Sequence, residues 1–217
     1  MAELKAPVSE GGKNMNIVAV NMSFNNEVSY LTDKGNYNVT ELGDGTYHAP
    51  KVIERITNNG YGDAKYWRHA TDNDIILVNS AGNSQYVGSY VPADPGLWAT
   101  ETDSNGDLIL GGKMIIVGNW NGTTVSGNKA GHVCLNVDLV NNKCNDTHKI
   151  SDFYILAPGT NINSTVPTNL DGDGYMTMSG TSMSAPHVTG AMGIIHQMWP
   201  HMKGENLTKL LLNTADK

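Results

Sequence analysis

Long apolar runs are missing from this chain of 217 residues. No stretch approaches the ~18 to 20 consecutive apolar residues of a membrane-spanning helix, and the opening Met-Ala-Glu-Leu-Lys run lacks the apolar centre of a secretory signal. Charge is scarce as well: Asp, Glu, Lys and Arg make up only 16% of the residues, so the surface is completed with Asn, Ser, Thr and Gly. That finish suits an extracytoplasmic protein better than a cytosolic one. The charge present leans acidic, with 14 Lys and Arg against 21 Asp and Glu and a formal net charge of -7. No basic run interrupts it, which excludes nucleic acid as a partner. Repeats and low-complexity tracts are absent. The length suits one domain with a sizeable core.

Cysteine is limited to Cys134 and Cys144, which flank Leu-Asn-Val-Asp-Leu-Val-Asn-Asn-Lys. An oxidising compartment would allow a disulfide across that loop, and a reducing one would leave two thiols. If Asn141-Asn142 is a hairpin turn, the cysteines do not face each other and a bridge needs an irregular loop.

Four runs read as strands: Asn16–Phe24, Asp74–Ser80, Lys113–Gly118 and Asp152–Ala157, the last ended by Pro158-Gly159. Each is short, apolar and rich in β-branched residues, as suits strands covered on both faces. The tail predicts two helices, from Thr181 to Trp199 ahead of Pro200 and from Lys203 to Thr214 with Leu207, Leu210 and Leu211 on one face. Residues 1–15 read as an irregular lead-in, and 25–50 as a surface insertion rich in Asn, Gly and Asp. Between Lys51 and Ala70, the Asn58-Asn59-Gly60-Tyr61-Gly62 stretch is expected to break any helix. Strands joined by helical or long connections predict an α/β domain with a largely parallel sheet.

The segment Met178–Gly190 concentrates unusual chemistry. Gly180 permits a tight backbone approach, Thr181 is expected to cap a helix, and Ser182 then sits in the first helical turn, where unpaired N–H groups and the dipole favour negative charge. A serine there can attack a carbonyl while its own N–H meets the resulting oxyanion. Pro186 deprives the Ser182 carbonyl of its helical partner. Gly-Thr-Ser alone would read as a helix cap.

The full stretch Gly-Thr-Ser-Met-Ser-Ala-Pro-His-Val-Thr-Gly, residues 180–190, closely resembles the nucleophile signature of the subtilisin-like serine proteases, the subtilases or peptidase family S8. The resemblance implies a three-layer α/β fold, incomplete at its N-terminus, with Ser182 as nucleophile in the loop begun by Gly180 and Thr181. Ile75–Asn83 resembles the strand ending in Ala-Gly-Asn, which gives Asn83 the role of second oxyanion donor. Val20–Phe24 resembles the substrate-cleft strand. The resemblance therefore lines the cleft with Ser23, Phe24 and Asn25 on one side and Ser80, Ala81 and Gly82 on the other, for a polypeptide substrate lying as an added strand. Asn25 stands where the family usually has glycine. No cofactor is implied for catalysis and no metal ligand is assigned. Relatives often hold structural calcium, but Asp171-Gly-Asp-Gly174 carries only a trace of calcium-loop spacing and reads as a surface turn.

In this family aspartate and histidine precede serine along the chain. Residues 1–15 contain neither, and none of the seven histidines sits in a His-Gly-like setting. The chain is therefore expected to be one partial domain, 1–217, whose triad partners lie in a missing N-terminal segment, and to be inactive alone. The alternatives are a non-catalytic peptide-binding relative and an Asn/Gly-rich extracellular adhesion module.

Overall fold

The computed structural model describes residues 8–10, 13–15, 17–24, 40–43, 45–48, 61–83, 95–170 and 172–215. Its centre is a parallel sheet of β1 (Ala19–Met22), β2 (Ile76–Ser80), β3 (Met114–Trp120) and β4 (Tyr154–Pro158) in the order β4-β3-β2-β1. The fold is the three-layer α/β arrangement expected. A short strand, Val125–Ser126, folds back antiparallel on the end of β3.

Two covered faces explain why β2 and β3 are apolar almost throughout rather than alternating. Ile76 and Val78 of β2, with Ile115 and Val117 of β3, face one helical layer. Leu77 and Ala81, with Met114 and Ile116, face the other, built on Trp67, Ala70, Trp98 and Phe153. Full burial of each large aliphatic side chain is worth about 1.5–3 kcal/mol. β1 departs from expectation. It is an edge strand among the described residues, its Ala19 and Val20 are half-buried, and the Asn21 side chain is exposed.

The helices are α1 (Tyr61–Asp72), α2 (Thr181–Met198) and α3 (Gly204–Thr214). α2 buries Ala185, Val188 and Met192, spaced to form one face against the sheet. α3 buries Leu207, and its first N–H, from Gly204, donates to the Asp74 carboxylate at 3.1 Å, where negative charge suits a helix start. α1 amends the expected break at two of its five residues: Tyr61 and Gly62 are helical, with Trp67 and Ala70 docked on the core, while 58–60 lie outside the described residues.

Two further readings need amendment. Val8–Glu10 pairs with Lys13–Met15 as a short hairpin within the supposed irregular lead-in. In the supposed surface insertion, Thr40–Gly43 and Thr46–His48 form a hairpin whose second strand pairs with His132–Val133, and this pairing buries Thr46 and Tyr47. Asn25 and Asp171 lie outside the described residues. No helix among the described residues is long and apolar enough to cross a membrane.

Candidate active site

The geometry around Ser182 begins with Gly180. Its φ of +154° is one that L side chains rarely adopt, and a Cβ there would lie 3.1 Å from Asn83 Oδ1 and 3.2 Å from Asn83 Nδ2. Gly180 N–H donates to the Gly159 carbonyl at 2.8 Å. A Cβ at Gly159 would in turn strike the Gly180 carbonyl and the Ser184 hydroxyl. Two glycines thus let the turn before α2 sit directly on the loops that follow β2 and β4.

Gly180, and not Thr181, is the N-cap of α2. Thr181 is instead the first helical residue and a lock between chain segments. Its N–H donates to Asn83 Oδ1 at 2.8 Å, its hydroxyl donates to the same oxygen at 3.0 Å, and its Oγ1 accepts from Gly82 N–H at 3.1 Å. Thr181 is completely buried while Asn83 is exposed. The Asn83 side chain is thus held from the helix side through its oxygen.

Ser182 follows, half-buried, in the first turn. On either side of it the Thr181 N–H is taken by Asn83 and the Met183 N–H by the Gly180 carbonyl at 3.0 Å. The Ser182 N–H itself has no acceptor among the described residues. The carbonyl that Pro186 orphans is satisfied from β1's extension: Ser23 Oγ donates to Ser182 O at 2.9 Å. In return the Ser182 hydroxyl donates to Ser23 O over a long 3.4 Å. No histidine bonds it, although all seven lie among the described residues. His187, the nearest in sequence, turns Nδ1 onto the Met183 carbonyl at 2.8 Å.

The proposed cleft walls separate into two groups. Ser23 is half-buried and Phe24 exposed, its ring 6.2 Å from that of Trp67. Asn79 steadies this wall, with Nδ2 donating to the carbonyls of Met22 and Phe24 at 3.1 Å each, a role no sequence signal announced. Ser80 and Ala81, by contrast, are completely buried, so their side chains form the backing of the wall. Gly82 has both backbone groups engaged, its N–H by Thr181 and its carbonyl by Asn128 N–H at 3.0 Å.

The sequence pattern of the subtilase family matches residues 2–217. The chain belongs to the subtilase family. Among curated relatives, the minor extracellular protease Vpr of Bacillus subtilis is 45% identical over 64 residues, which are 28% of this chain and 8% of Vpr. Subtilisin Savinase of Lederbergia lenta is 36% identical over 78 residues, 36% of this chain and 28% of that protein. The matched stretch is therefore under a third of either relative's length. Among solved structures, the protease domain of PatA, determined as a point mutant, shares the fold with TM-score 0.50 and 16% identity, over 92% of this chain and 52% of that one.

This subtilase carries a second polar cluster, away from Ser182. Cys134 and Cys144 are joined as a disulfide with Cα atoms 5.8 Å apart. Cys144 pairs across the hairpin with Val137 rather than with Cys134, so the bridge closes an irregular loop as the spacing requires. Beside it His132 Nε2 meets Asp146 Oδ2 at 2.7 Å, and the same carboxylate accepts from the N–H groups of Leu135 and Asn136 at 2.8 Å each. Burial alone would raise the Asp146 carboxyl, but these donors outweigh it and hold it below the usual range. A carboxylate only accepts, so Nε2 carries the hydrogen. The ligand atoms of His132, Cys134, Cys144 and Asp146 lie within 4.8 Å of one another, a set that could gather a metal ion. With the sulfurs bonded to each other and Asp146 engaged by three donors, the four side chains serve as a clasp.

Glu101 lies buried near this clasp, one of its oxygens without a partner among the described residues. Burial first, and the Asp146 charge second, raise its carboxyl from 4.5 to about 7. An acid whose folded pKa is raised stabilises the fold while protonated, and that contribution drains away as pH rises from 4.5 to about 7. Glu101→Gln should therefore match wild type in acid and gain on it through this window, by at most about 3 kcal/mol above it. Urea unfolding across pH checks this. A difference independent of pH would count against it.

Proposed function

We propose that this chain supplies the nucleophile and oxyanion site of a serine endopeptidase of the extracytoplasmic space. The observation that carries the reading is the lock of Thr181 on Asn83 Oδ1, which holds the amide by its oxygen beside a Ser182 N–H lacking an acceptor among the described residues. Two such donors would receive a tetrahedral oxyanion without rearrangement. Ser182 Oγ attacks the peptide carbonyl, its proton passing to a histidine held by an aspartate. That histidine then protonates the leaving amine, and water resolves the acyl-enzyme by the reverse sequence.

In this reading histidine and aspartate come from polypeptide outside residues 1–217. The edge position of β1 among the described residues supports it, because proteins commonly pair or cover a strand edge with another segment. So does one flank of α2: Cβ atoms at Gly190 and Gly193 would meet nothing within 4 Å, and Ile194 and Met198 are 64% and 63% exposed. A smooth, apolar flank further along the helix that begins at the nucleophile suits a closely packed partner helix bearing the base. The disulfide and the relative named as extracellular support an oxidising location.

The substrate is read as an extended polypeptide lying along Ser23 and Phe24. A fluorophosphonate probe tests the whole reading. The complete protease should be labelled covalently at Ser182, located by mass spectrometry, and residues 1–217 alone should be labelled far more slowly. Absence of labelling in the complete protein would leave the non-catalytic peptide-binding reading in its place.

A further inference from the structure

The oxyanion loop is gripped from a direction that the nucleophile signature does not include. Gly127 and Asn128, beyond the short Val125–Ser126 strand, lie under Gly82 and Asn83. Gly127 has φ +86°, and a Cβ there would be 2.6 Å from the Gly82 carbonyl and 3.2 Å from Thr181 Cγ2. Asn128 N–H donates to that Gly82 carbonyl at 3.0 Å. The Gly82 peptide groups are thus held on one side by Thr181 and on the other by Asn128, and Asn83 leaves this clamp with its direction set.

Asn128 is also held by Tyr154, the first residue of β4. Its hydroxyl donates to the Asn128 carbonyl at 2.8 Å. The phenol reaches that point by crossing β3 at Gly118, where any Cβ would collide with the ring and its oxygen. Tyr154 packs against the core cluster beneath the sheet, and burial raises its hydroxyl above the usual tyrosine range, so it remains a donor into alkaline solution. Hydrogen bonds joined through the backbones of Asn128 and Gly82 thus connect Tyr154 Oη to Thr181 and Asn83 Oδ1.

We propose that Tyr154 is a positioning residue of the oxyanion site, its hydroxyl fixing the Gly127–Asn128 loop beneath Gly82 and thereby the aim of the Asn83 amide. The proposal rests on the reading of Asn83 as an oxyanion donor. Its effect belongs to the transition state, in which charge gathers on the oxygen that Asn83 meets, and not to substrate binding along Ser23 and Phe24.

Tyr154→Phe in the complete protease tests it, because the ring and its packing stay while the donor goes. The expected result is a kcat about fivefold to tenfold lower with KM unchanged. The affinity of a peptide aldehyde, whose hemiacetal places an oxyanion in the site, should fall in the same proportion. In an Asn83→Ala background the same substitution should change kcat no further, since the amide it aims is gone. An unchanged kcat in the single variant, failure of that variant to fold, or an undiminished effect in the Asn83→Ala background would each overturn the proposal. If Asn83→Ala alone leaves kcat intact, the oxyanion reading fails first and this inference with it.

Discussion

Ser182→Ala in the complete protease is expected to lower kcat about 10⁶-fold, the scale of the same substitution in subtilisin. The fold should hardly respond. Ser182 is half-buried, and among the described residues its hydroxyl makes only the 3.4 Å contact with the Ser23 carbonyl. The elements that seat it act through other atoms: Ser23 Oγ binds the Ser182 carbonyl, and Gly180 N–H binds Gly159. Thermal unfolding of the variant should match wild type while fluorophosphonate labelling disappears. What survives is the contribution of the oxyanion donors and of substrate binding, about 10³- to 10⁴-fold over water in subtilisin. A variant that retained most of its turnover would remove Ser182 from the chemistry and leave α2 as a scaffold only.

Asn83→Ala carries the next largest expectation, a loss of about 100- to 1,000-fold in kcat with KM little altered, again on the scale of the subtilisin asparagine. Here stability and catalysis are entangled, because Asn83 Oδ1 is the acceptor for both the N–H and the hydroxyl of buried Thr181. Removing it strands two donors, at a cost of about 1–3 kcal/mol. Asn83→Asp separates the two roles. It keeps an oxygen for Thr181 but replaces the amide nitrogen with a second acceptor facing the developing oxyanion. Stability should therefore recover, while kcat stays at least as low as in the alanine variant. If the aspartate variant regained activity, the role of Asn83 would be structural.

Sequence reading located the strands of the sheet through their unbroken apolar character, and the last two helices through their period and their Pro and Gly boundaries. It placed Ser182 and Asn83 through the two motifs that contain them. Pro186 also announced that the Ser182 carbonyl would lack its helical partner, but not that Ser23, 159 residues away, would supply one. Thr181 was misread as a cap because Ser and Thr favour that position locally. In the structure, two side-chain contacts with Asn83 and Gly82 outweigh the capping bond. Tyr61 and Gly62 are helical for a similar reason, since Gly discourages helix locally while Trp67 and Ala70 reward it by docking.

Local order along the chain was thus enough to specify the family, the buried strands, the motif that carries Ser182 and the acidic, sparsely charged surface, because each depends on neighbours within a few residues. Packing alone revealed Asn79 behind the cleft, the buried Ser80 and Ala81, the clasp of His132, Asp146 and the disulfide, and the path from Tyr154 to Asn83. Those depend on groups brought together from distant segments, where a hydrogen bond is set by direction and distance rather than by spacing. Three glycines, Gly118, Gly127 and Gly180, make the difference concrete: each admits a neighbour from another segment into the volume a side chain would fill.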